Sequence, residues 1–183
     1  LIHGSILLVD DEEKILRSLG RALRDVGHSV VETTKASTAK RLLAERPVDV
    51  LIVDNVMPDI SGLDLIRDYV AGAPAGERAQ ILMMTAHASV ASAIEAMKLG
   101  ALDYLQKPFE VEEFLVVVAH ALERQRLQSE YRYLRSERDQ HFDHYGLVGR
   151  GRAMADIIER AERVAATKST VLITGEKIGR AHV

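Results

Sequence analysis

The sequence predicts an α/β fold: a doubly wound five-stranded parallel sheet, an extended C-terminal helix and a fragment of a second α/β domain. Short apolar runs alternate with helical patterns five times before Pro108. Such alternation implies a parallel sheet with helices on both faces, because right-handed crossovers return each strand to the same sheet. The central run, Val48–Val53, has a single polar residue, which is typical of a strand buried on both faces.

The first three strands are separated by two helical patterns. Ile6–Val9 is a short apolar strand, and apolar residues then recur at helical spacing until Gly27. Ser29–Val31 begins the second strand, and Ala36–Glu45 is a helix that ends before a proline. The central run is the third strand, and a Met-Pro pair imposes a loop soon after it, because the residue before a proline avoids the helical region.

Two further helix–strand units complete the predicted sheet. A helix follows Gly62, and Ala71–Ala79 is an Ala- and Gly-rich loop. Ile81–Met84 is the fourth strand, Ala88–Leu99 a helix stopped by a glycine, and Ala101–Leu105 the fifth strand. The number of units favours the flavodoxin-like strand order 2-1-3-4-5 over a barrel.

The helix after Pro108 is unusually long. From Val111 the pattern stays helical to about Asp139, which corresponds to about 40 Å. Leu127, Tyr131 and Leu134 form a thin apolar stripe among charges, but the spacing breaks a strict heptad. A self-associating helix and a solvated linker both remain open.

Composition is that of an ordinary globular protein, at 47% hydrophobic and 28% charged residues. The chain has no cysteine, which rules out disulfides and fits a cytoplasmic location. No apolar run approaches the length of a membrane span, so we expect no membrane contact. The net charge of −3 offers no basic surface for nucleic acid, so these residues alone are not expected to bind DNA.

Polar residues follow four of the five predicted strands. Asp10 and Asp11 end the first strand, Asp54 the third, Thr85 the fourth and Lys107 the fifth. Parallel strands end at one edge of the sheet, so these side chains should converge on one cleft. Three close carboxylates are costly without a cation, and oxygen ligands favour Mg²⁺. One carboxylate would then act as a nucleophile towards phosphorus, with the lysine and threonine holding phosphoryl oxygens.

Each of these residues alone also has an ordinary structural explanation, such as a turn cap, a surface lysine or a strand-forming threonine. Together, and in their sequence context, they resemble the receiver domain of two-component response regulators over residues 6–125. The segments that carry the resemblance are Leu8–Glu12, Asp54–Gly62, Met84–His87 and Lys107–Phe109.

The resemblance implies that a sensor histidine kinase phosphorylates Asp54. The implied Mg²⁺ ligands are Asp10, Asp11, Asp54 and the backbone carbonyl of Val56. Thr85 and Tyr104 would be the switch pair, in which the tyrosine follows the threonine when the latter turns towards the phosphoryl group. The Lys107–Pro108 peptide bond is expected to be cis.

The second half resembles another module. Tyr145–Arg150 and Val171–Glu176 look like the start of the ATPase domain of sigma-54-dependent activators of the nitrogen-regulatory type. Residues 152–165 carry a helical pattern and Thr170–Thr174 a strand, too few elements to bury a core. Lys177–Val183 departs from the phosphate-binding loop of that family, because no G-x-x-x-x-G-K-[ST] is present.

The sequence patterns and the two resemblances together predict five segments. They are a receiver domain at 6–125, a helical linker able to form a coiled coil at 126–145, the N-terminal fragment of an AAA+ sigma-54-interaction domain at 146–176, and cloning-derived tails at 1–5 and 177–183. We expect no enzyme activity beyond self-phosphorylation and autodephosphorylation, and no ATP hydrolysis. RNA polymerase with sigma-54, and DNA, would be contacted only through domains outside these residues.

Two other functions compete with a phosphorylation-gated switch that controls a sigma-54-dependent activator through a homodimer. A Mg²⁺-dependent phosphatase would also use an aspartate nucleophile, but in such enzymes it follows the first strand. A constitutive dimerisation module with a non-functional cleft is the other alternative, which the complete acid–Thr–Lys set disfavours. The sequence leaves open whether phosphorylation makes or breaks the dimer, and whether the long helix or the fourth-helix/fifth-strand face forms it.

Overall fold

A computed structural model of the chain describes residues 3–74, 76–86, 90–142 and 152–165. The strands are β1 (Ser5–Val9), β2 (Ser29–Thr33), β3 (Val50–Asp54), β4 (Gln80–Thr85) and β5 (Asp103–Gln106). The helices are α1 (Glu13–Asp25), α2 (Ala36–Glu45), α3 (Gly62–Gly72), α4 (Val90–Leu99), α5 (Val111–Phe142) and α6 (Arg152–Ala165).

The five strands form one parallel sheet in the order β2-β1-β3-β4-β5. Every neighbouring pair is parallel, and β3 lies at the centre between β1 and β4. All five residues of β3 are buried, as expected for a strand covered on both faces. The predicted fold class and strand order are confirmed.

The sheet separates two apolar cores. On one face α1 and α5 pack against alternate strand residues, including Leu8, Ile52 and Phe114. On the other face α2, α3 and α4 cover the intervening residues, including Leu7 and Leu51. This alternation follows from the two-residue period of a strand, which sends successive side chains to opposite faces.

The fifth strand begins two residues later than the pattern predicted. Ala101 is taken by the turn that closes α4, in which its N–H donates to the carbonyl of Ala96 at 3.0 Å. Gly100 supplies the positive φ of +105° that this turn requires. The apolar run therefore starts as a helix cap. The Leu102 N–H then donates to the Ile81 carbonyl of β4 at 2.7 Å, and residues in register with β4 begin at Asp103.

The first strand begins one residue earlier than the predicted Ile6. Gly4, which precedes it, is buried, and its carbonyl accepts from the N–H of Ser29 at 3.0 Å. The N–H and hydroxyl of Ser5 both donate to a carboxylate oxygen of Asp49, at 2.7 and 3.0 Å. These bonds join the starts of β1 and β3, so Ser5 belongs to the sheet and Gly4 is hydrogen-bonded to it.

Helix α3 extends into the region that was predicted to be a loop after position 70. Its last carbonyls are satisfied by the guanidinium of Arg78, which donates to Val70 at 2.6 Å and to Ala73 at 3.1 Å. A side chain beyond the helix thus performs the capping that the local Ala-Gly sequence cannot.

The predicted long helix is present as α5 over Val111–Phe142. The chain divides into two compact units between Tyr133 and Leu134. In the second unit the helix predicted after position 151 is present as α6, whereas the strand predicted at Thr170–Thr174 and the tail at 177–183 lie outside the described residues. Among the helices described, none has the length and apolarity to cross a membrane.

Candidate functional site

The predicted site residues meet at the carboxyl edge of the sheet. Asp10 follows β1 directly, Asp54 ends β3, Thr85 ends β4 and Lys107 follows β5. Adjacent strands are in register there, with Asp54 opposite Met84, and Thr85 opposite Gln106. The convergence expected from parallel pairing is therefore present for these four residues.

One ammonium group joins the two buried acids. Lys107 Nζ lies 2.6 Å from Asp10 Oδ2 and 2.8 Å from Asp54 Oδ1. The side chain of Lys107 is 12% exposed, while that of Asp10 is fully buried. Such a buried ion pair is held by geometry and hydrogen bonding, and removing one partner would leave an uncompensated charge.

The second oxygen of each acid is held by the backbone. Asp10 Oδ1 accepts from the N–H of Glu12 at 3.0 Å, and Asp54 Oδ2 accepts from the N–H of Val56 at 2.7 Å. In both cases the donor lies two residues further along, in the loop that leaves the strand. Each carboxylate is thereby fixed between the lysine and its own loop.

Burial and charge act in opposite directions on this pair. Burial raises the pKa of Asp10 above its ordinary value, and the hydrogen bonds from Lys107 and Glu12 only partly offset it. Burial alone would lower the pKa of Lys107, but its hydrogen bonds to both acids prevail and raise it. The lysine is therefore firmly cationic, and the buried Asp10 carboxylate would still gain from further positive charge.

The lysine itself is positioned from β4. Its backbone N–H donates to the carbonyl of Thr85 at 2.8 Å, and the Lys107–Pro108 peptide bond is cis, as predicted. Thr85 is fully buried. Tyr104 is opposite Met83 in the β4–β5 pairing, so it shares a sheet face with Thr85, two residues on. The two residues predicted as a switch pair thus lie on neighbouring strands and on one face.

The other predicted metal ligands are less constrained. The side chain of Asp11 is exposed, and that of Val56 is 57% exposed. Within the described ranges no three His, Cys, Asp or Glu side chains are arranged as a ready-made metal site. A metal here would need backbone oxygen, water or phosphoryl oxygen besides the acids, as the predicted ligand set already includes.

Two residues beyond Asp54 were not predicted as site residues: Asp59, in the loop of residues 55–61 (the site loop), and Gly62, the first residue of α3. The Asp59 carboxylate accepts from the N–H groups of Ser37 at 2.9 Å and Ala36 at 3.2 Å, so it caps α2 from a distant loop. These bonds, chiefly that from Ser37, hold the pKa of Asp59 well below its ordinary value. One sequence feature could have indicated this contact. The N-cap residue of α2 is Lys35, whose side chain cannot accept a hydrogen bond, so the acceptor for the first N–H groups of α2 has to come from elsewhere.

Gly62 is the other. A Cβ at this position would collide with the carbonyl oxygen of Asp54 and come within 2.9 Å of the Cα of Asn55. The Gly62 N–H donates to the Asn55 carbonyl at 3.0 Å. The start of α3 can therefore approach the strand end that carries Asp54 only because this residue has no side chain.

Comparisons with known proteins agree with this arrangement. A family model described as the response regulator receiver domain matches residues 6–119. The alginate biosynthesis transcriptional regulatory protein AlgB of Pseudomonas aeruginosa is 36% identical over 174 residues, which are 95% of this chain and 38% of that protein. The DNA-binding transcriptional regulator NtrC of Azospirillum brasilense is 37% identical over 173 residues, 94% of this chain and 35% of that protein.

Solved structures show the same relationship. The beryllofluoride-activated NtrC4 receiver domain dimer superposes with a TM-score of 0.62 at 34% identity, covering 66% of this chain and 98% of that one. NtrX from Brucella abortus, in complex with ADP, gives a TM-score of 0.66 at 28% identity, covering 91% of this chain and 35% of that one. The chain spans little more than a third of the length of these curated relatives.

Proposed function

Since the chain belongs to the family of response regulator receiver domains, we propose that Asp54 accepts a phosphoryl group from a sensor histidine kinase. The observation that carries the proposal is the shared lysine. Lys107 holds Asp54 and Asp10 at one buried strand edge, with one carboxylate oxygen of each acid on the ammonium and the other on a backbone N–H. The arrangement holds the nucleophilic carboxylate of Asp54 beside the positive charge that would stabilise the phosphoryl group it receives.

In the transfer, an oxygen of Asp54 forms a bond to phosphorus as the bond between phosphorus and the kinase histidine nitrogen breaks. The imidazole leaves with the electron pair of that bond. The Lys107 ammonium pairs with the phosphoryl oxygens, and the Thr85 hydroxyl donates a hydrogen bond to one of them. Burial of both groups strengthens these contacts, because little water competes for them.

The donor set fits Mg²⁺. The buried acids offer only oxygen, and burial raises the pKa of Asp10 despite its hydrogen bond from the lysine, so a further cation would stabilise its carboxylate. Asp10, Asp11, Asp54 and the backbone carbonyl of Val56 would hold the ion. When bound, it supplies positive charge to the transferring phosphoryl group.

Phosphorylation would then shift an existing equilibrium between two conformers of Thr85 and Tyr104 and so change homodimer assembly. The output is control of a sigma-54-dependent transcription activator, whose polymerase and DNA contacts would be made by further domains. Support comes from the similarity to AlgB and NtrC along 94–95% of this chain. The chain carries no G-x-x-x-x-G-K-[ST] loop, so we propose no ATPase activity for it.

Intact mass spectrometry tests the central step. The protein is incubated with acetyl phosphate and Mg²⁺, alongside Asp54→Asn and a sample in which Mg²⁺ is chelated. A single phosphoryl adduct is expected in the parent alone. A folded parent that forms no adduct would refute the proposal and favour the alternative of a constitutive dimerisation module.

A further inference from the structure

A hydrogen bond joins Tyr104 to the helix beside it. The Tyr104 hydroxyl lies 3.2 Å from Ser92 Oγ, and both side chains are partly buried. The Tyr104 ring packs against the apolar core beneath α4, which includes Ala96 and Met83. A phenol in such a place usually has a hydrogen-bond partner, and a serine hydroxyl can either donate or accept.

The position of Ser92 in α4 indicates a role in the contact with Tyr104. It lies in the first turn of α4 between Ala91 and Ala93, in a helix otherwise built largely from good helix formers. Serine is a weaker helix former than alanine, because its hydroxyl competes for backbone hydrogen bonds. The residue therefore lowers the intrinsic stability of α4 at a point where it contacts Tyr104.

The hydrogen bond between Tyr104 and Ser92 also connects α4 to the candidate site. Thr85 ends β4, the strand that precedes α4, and its carbonyl accepts from the N–H of Lys107. Lys107 follows β5, which carries Tyr104, and Tyr104 returns to α4 through Ser92. The phosphoryl-binding lysine, the switch threonine and α4 are thus linked by two hydrogen bonds and two short stretches of chain.

We propose that Ser92 is a positioning residue for Tyr104, and that their hydrogen bond tethers α4 in its unphosphorylated position. The inference rests on the proposed phosphorylation of Asp54. In this conformation Lys107 is bound to Asp54 and Asp10, as expected before a phosphoryl group is present. When Lys107 and Thr85 turn to the phosphoryl group, Tyr104 moves, the bond to Ser92 breaks, and α4 is released.

The movement of α4 would change the position of an apolar face. Val90, Ile94 and Met97 recur at helical spacing and are 79%, 49% and 50% exposed. Ser92 lies on the opposite, inward side of the helix. The tether therefore determines the position of a surface that is already exposed, rather than whether it is exposed.

The test uses four variants: Ser92→Ala, Ser92→Thr, Tyr104→Phe, and Ser92→Ala combined with Tyr104→Phe. Loss of the tether should raise the population of the released conformer, and with it the rate of Asp54 phosphorylation by acetyl phosphate, two- to tenfold. Ser92→Thr keeps the hydroxyl and should restore the parental rate. Because both single changes remove the same bond, the double variant should show no further rise.

Amide hydrogen exchange of α4 in the unphosphorylated protein gives a second, independent readout. Exchange across Val90–Leu99 should be faster in Ser92→Ala and in Tyr104→Phe, although alanine by itself would stabilise the helix. Ser18→Ala, the same change on the exposed side of α1, is the matched control and should behave as the parent.

The outcomes separate the two proposals. If no variant forms an adduct, phosphorylation of Asp54 is refuted, while exchange in α4 still reports on the tether. If adducts form but Ser92→Ala matches the parent in both rate and exchange, the tether is refuted. Additive effects of the two single changes would likewise overturn it.

Discussion

At the scale of single residues, the absence of a side chain at Gly62 is as important to the site as the charged groups. Gly62→Ala should lower the free energy of unfolding by about 1–3 kcal/mol, because its Cβ would collide with the Asp54 carbonyl. Gly72→Ala, at the other end of α3, is the matched control, since a Cβ there meets no atom within 4 Å. Urea unfolding of both variants tests this, and equal losses in the two would contradict it.

We infer that the side chain of Val56 borders the path by which water would reach a phosphorylated Asp54. Its side chain is 57% exposed, and its N–H donates to Asp54 Oδ2. An apolar residue there offers no hydrogen bond to an attacking water, so we expect Val56→Asn to shorten the lifetime of the aspartyl phosphate several-fold. The decay of the adduct, followed by mass spectrometry after removal of the donor, measures it. An unchanged lifetime would rule out a role for this side chain.

At the scale of secondary-structure elements, α2 depends on a cap from the site loop. Asp59→Ala should lower the free energy of unfolding by about 1 kcal/mol, because two N–H groups of α2 lose their acceptor. The pKa of Asp59 is lowered in the folded protein, so this contribution is present above the ordinary value of 3.8 and lost as the pH falls below it. The difference in stability between parent and variant should therefore shrink in acid.

Thermal unfolding of the two proteins between pH 3 and pH 7 follows that difference. Asp25→Ala provides the control, since Asp25 is an exposed partner of Arg21 within α1. A deficit in Asp59→Ala that stayed constant with pH would show that the carboxylate charge is not involved.

Helix α5 is joined to the sheet by a cluster of three glutamines. The amide of Gln80 donates to Gln125 Oε1 at 2.9 Å and to Gln128 Oε1 at 2.8 Å. Gln80→Leu leaves the buried Gln125 acceptor without this donor and should cost about 1–3 kcal/mol, whereas the exposed Gln128 acceptor can bind water instead. Replacing all three residues by leucine should be close to neutral, because no polar group is then left unpaired. Urea unfolding of both variants measures this, and a triple variant less stable than Gln80→Leu would contradict it.

At the scale of the whole molecule, the proposed homodimer has two candidate interfaces, the exposed apolar residues of α5 and the exposed apolar face of α4. Leu127 and Tyr131 of α5 are 53% and 67% exposed. We expect Leu127→Glu with Tyr131→Glu to abolish a homodimer in sedimentation, because charges would be buried in its interface. Ile94→Glu on α4 is the comparison. Loss of the dimer in that variant alone would assign the interface to α4.

The features that follow from local sequence patterns were predicted, whereas the hydrogen bonds between residues far apart in the chain were not. Strand order and the strand-end residues Asp54 and Lys107 followed from alternation, because parallel pairing brings all strand ends to one edge. The bonds of Asp59 to α2, of Ser5 to Asp49 and of Gln80 to α5 join residues far apart in the chain. Spacing carries no signal for such pairs. The start of β5 was misplaced because the apolar residue Ala101 serves a helix cap.

The hydrogen bonds between polar groups at the starts of the strands restrict how the strands can move. Ser5 and Asp49 bind each other, Asp49 accepts from the N–H of Gln80, and Gln80 binds α5. Three strands are thus hydrogen-bonded to one another or to α5 at the edge opposite the acids, and these bonds oppose sliding of a strand along its own axis. We therefore expect a disturbance at Asp54 to pass sideways, across β4 and β5, the direction in which α4 lies.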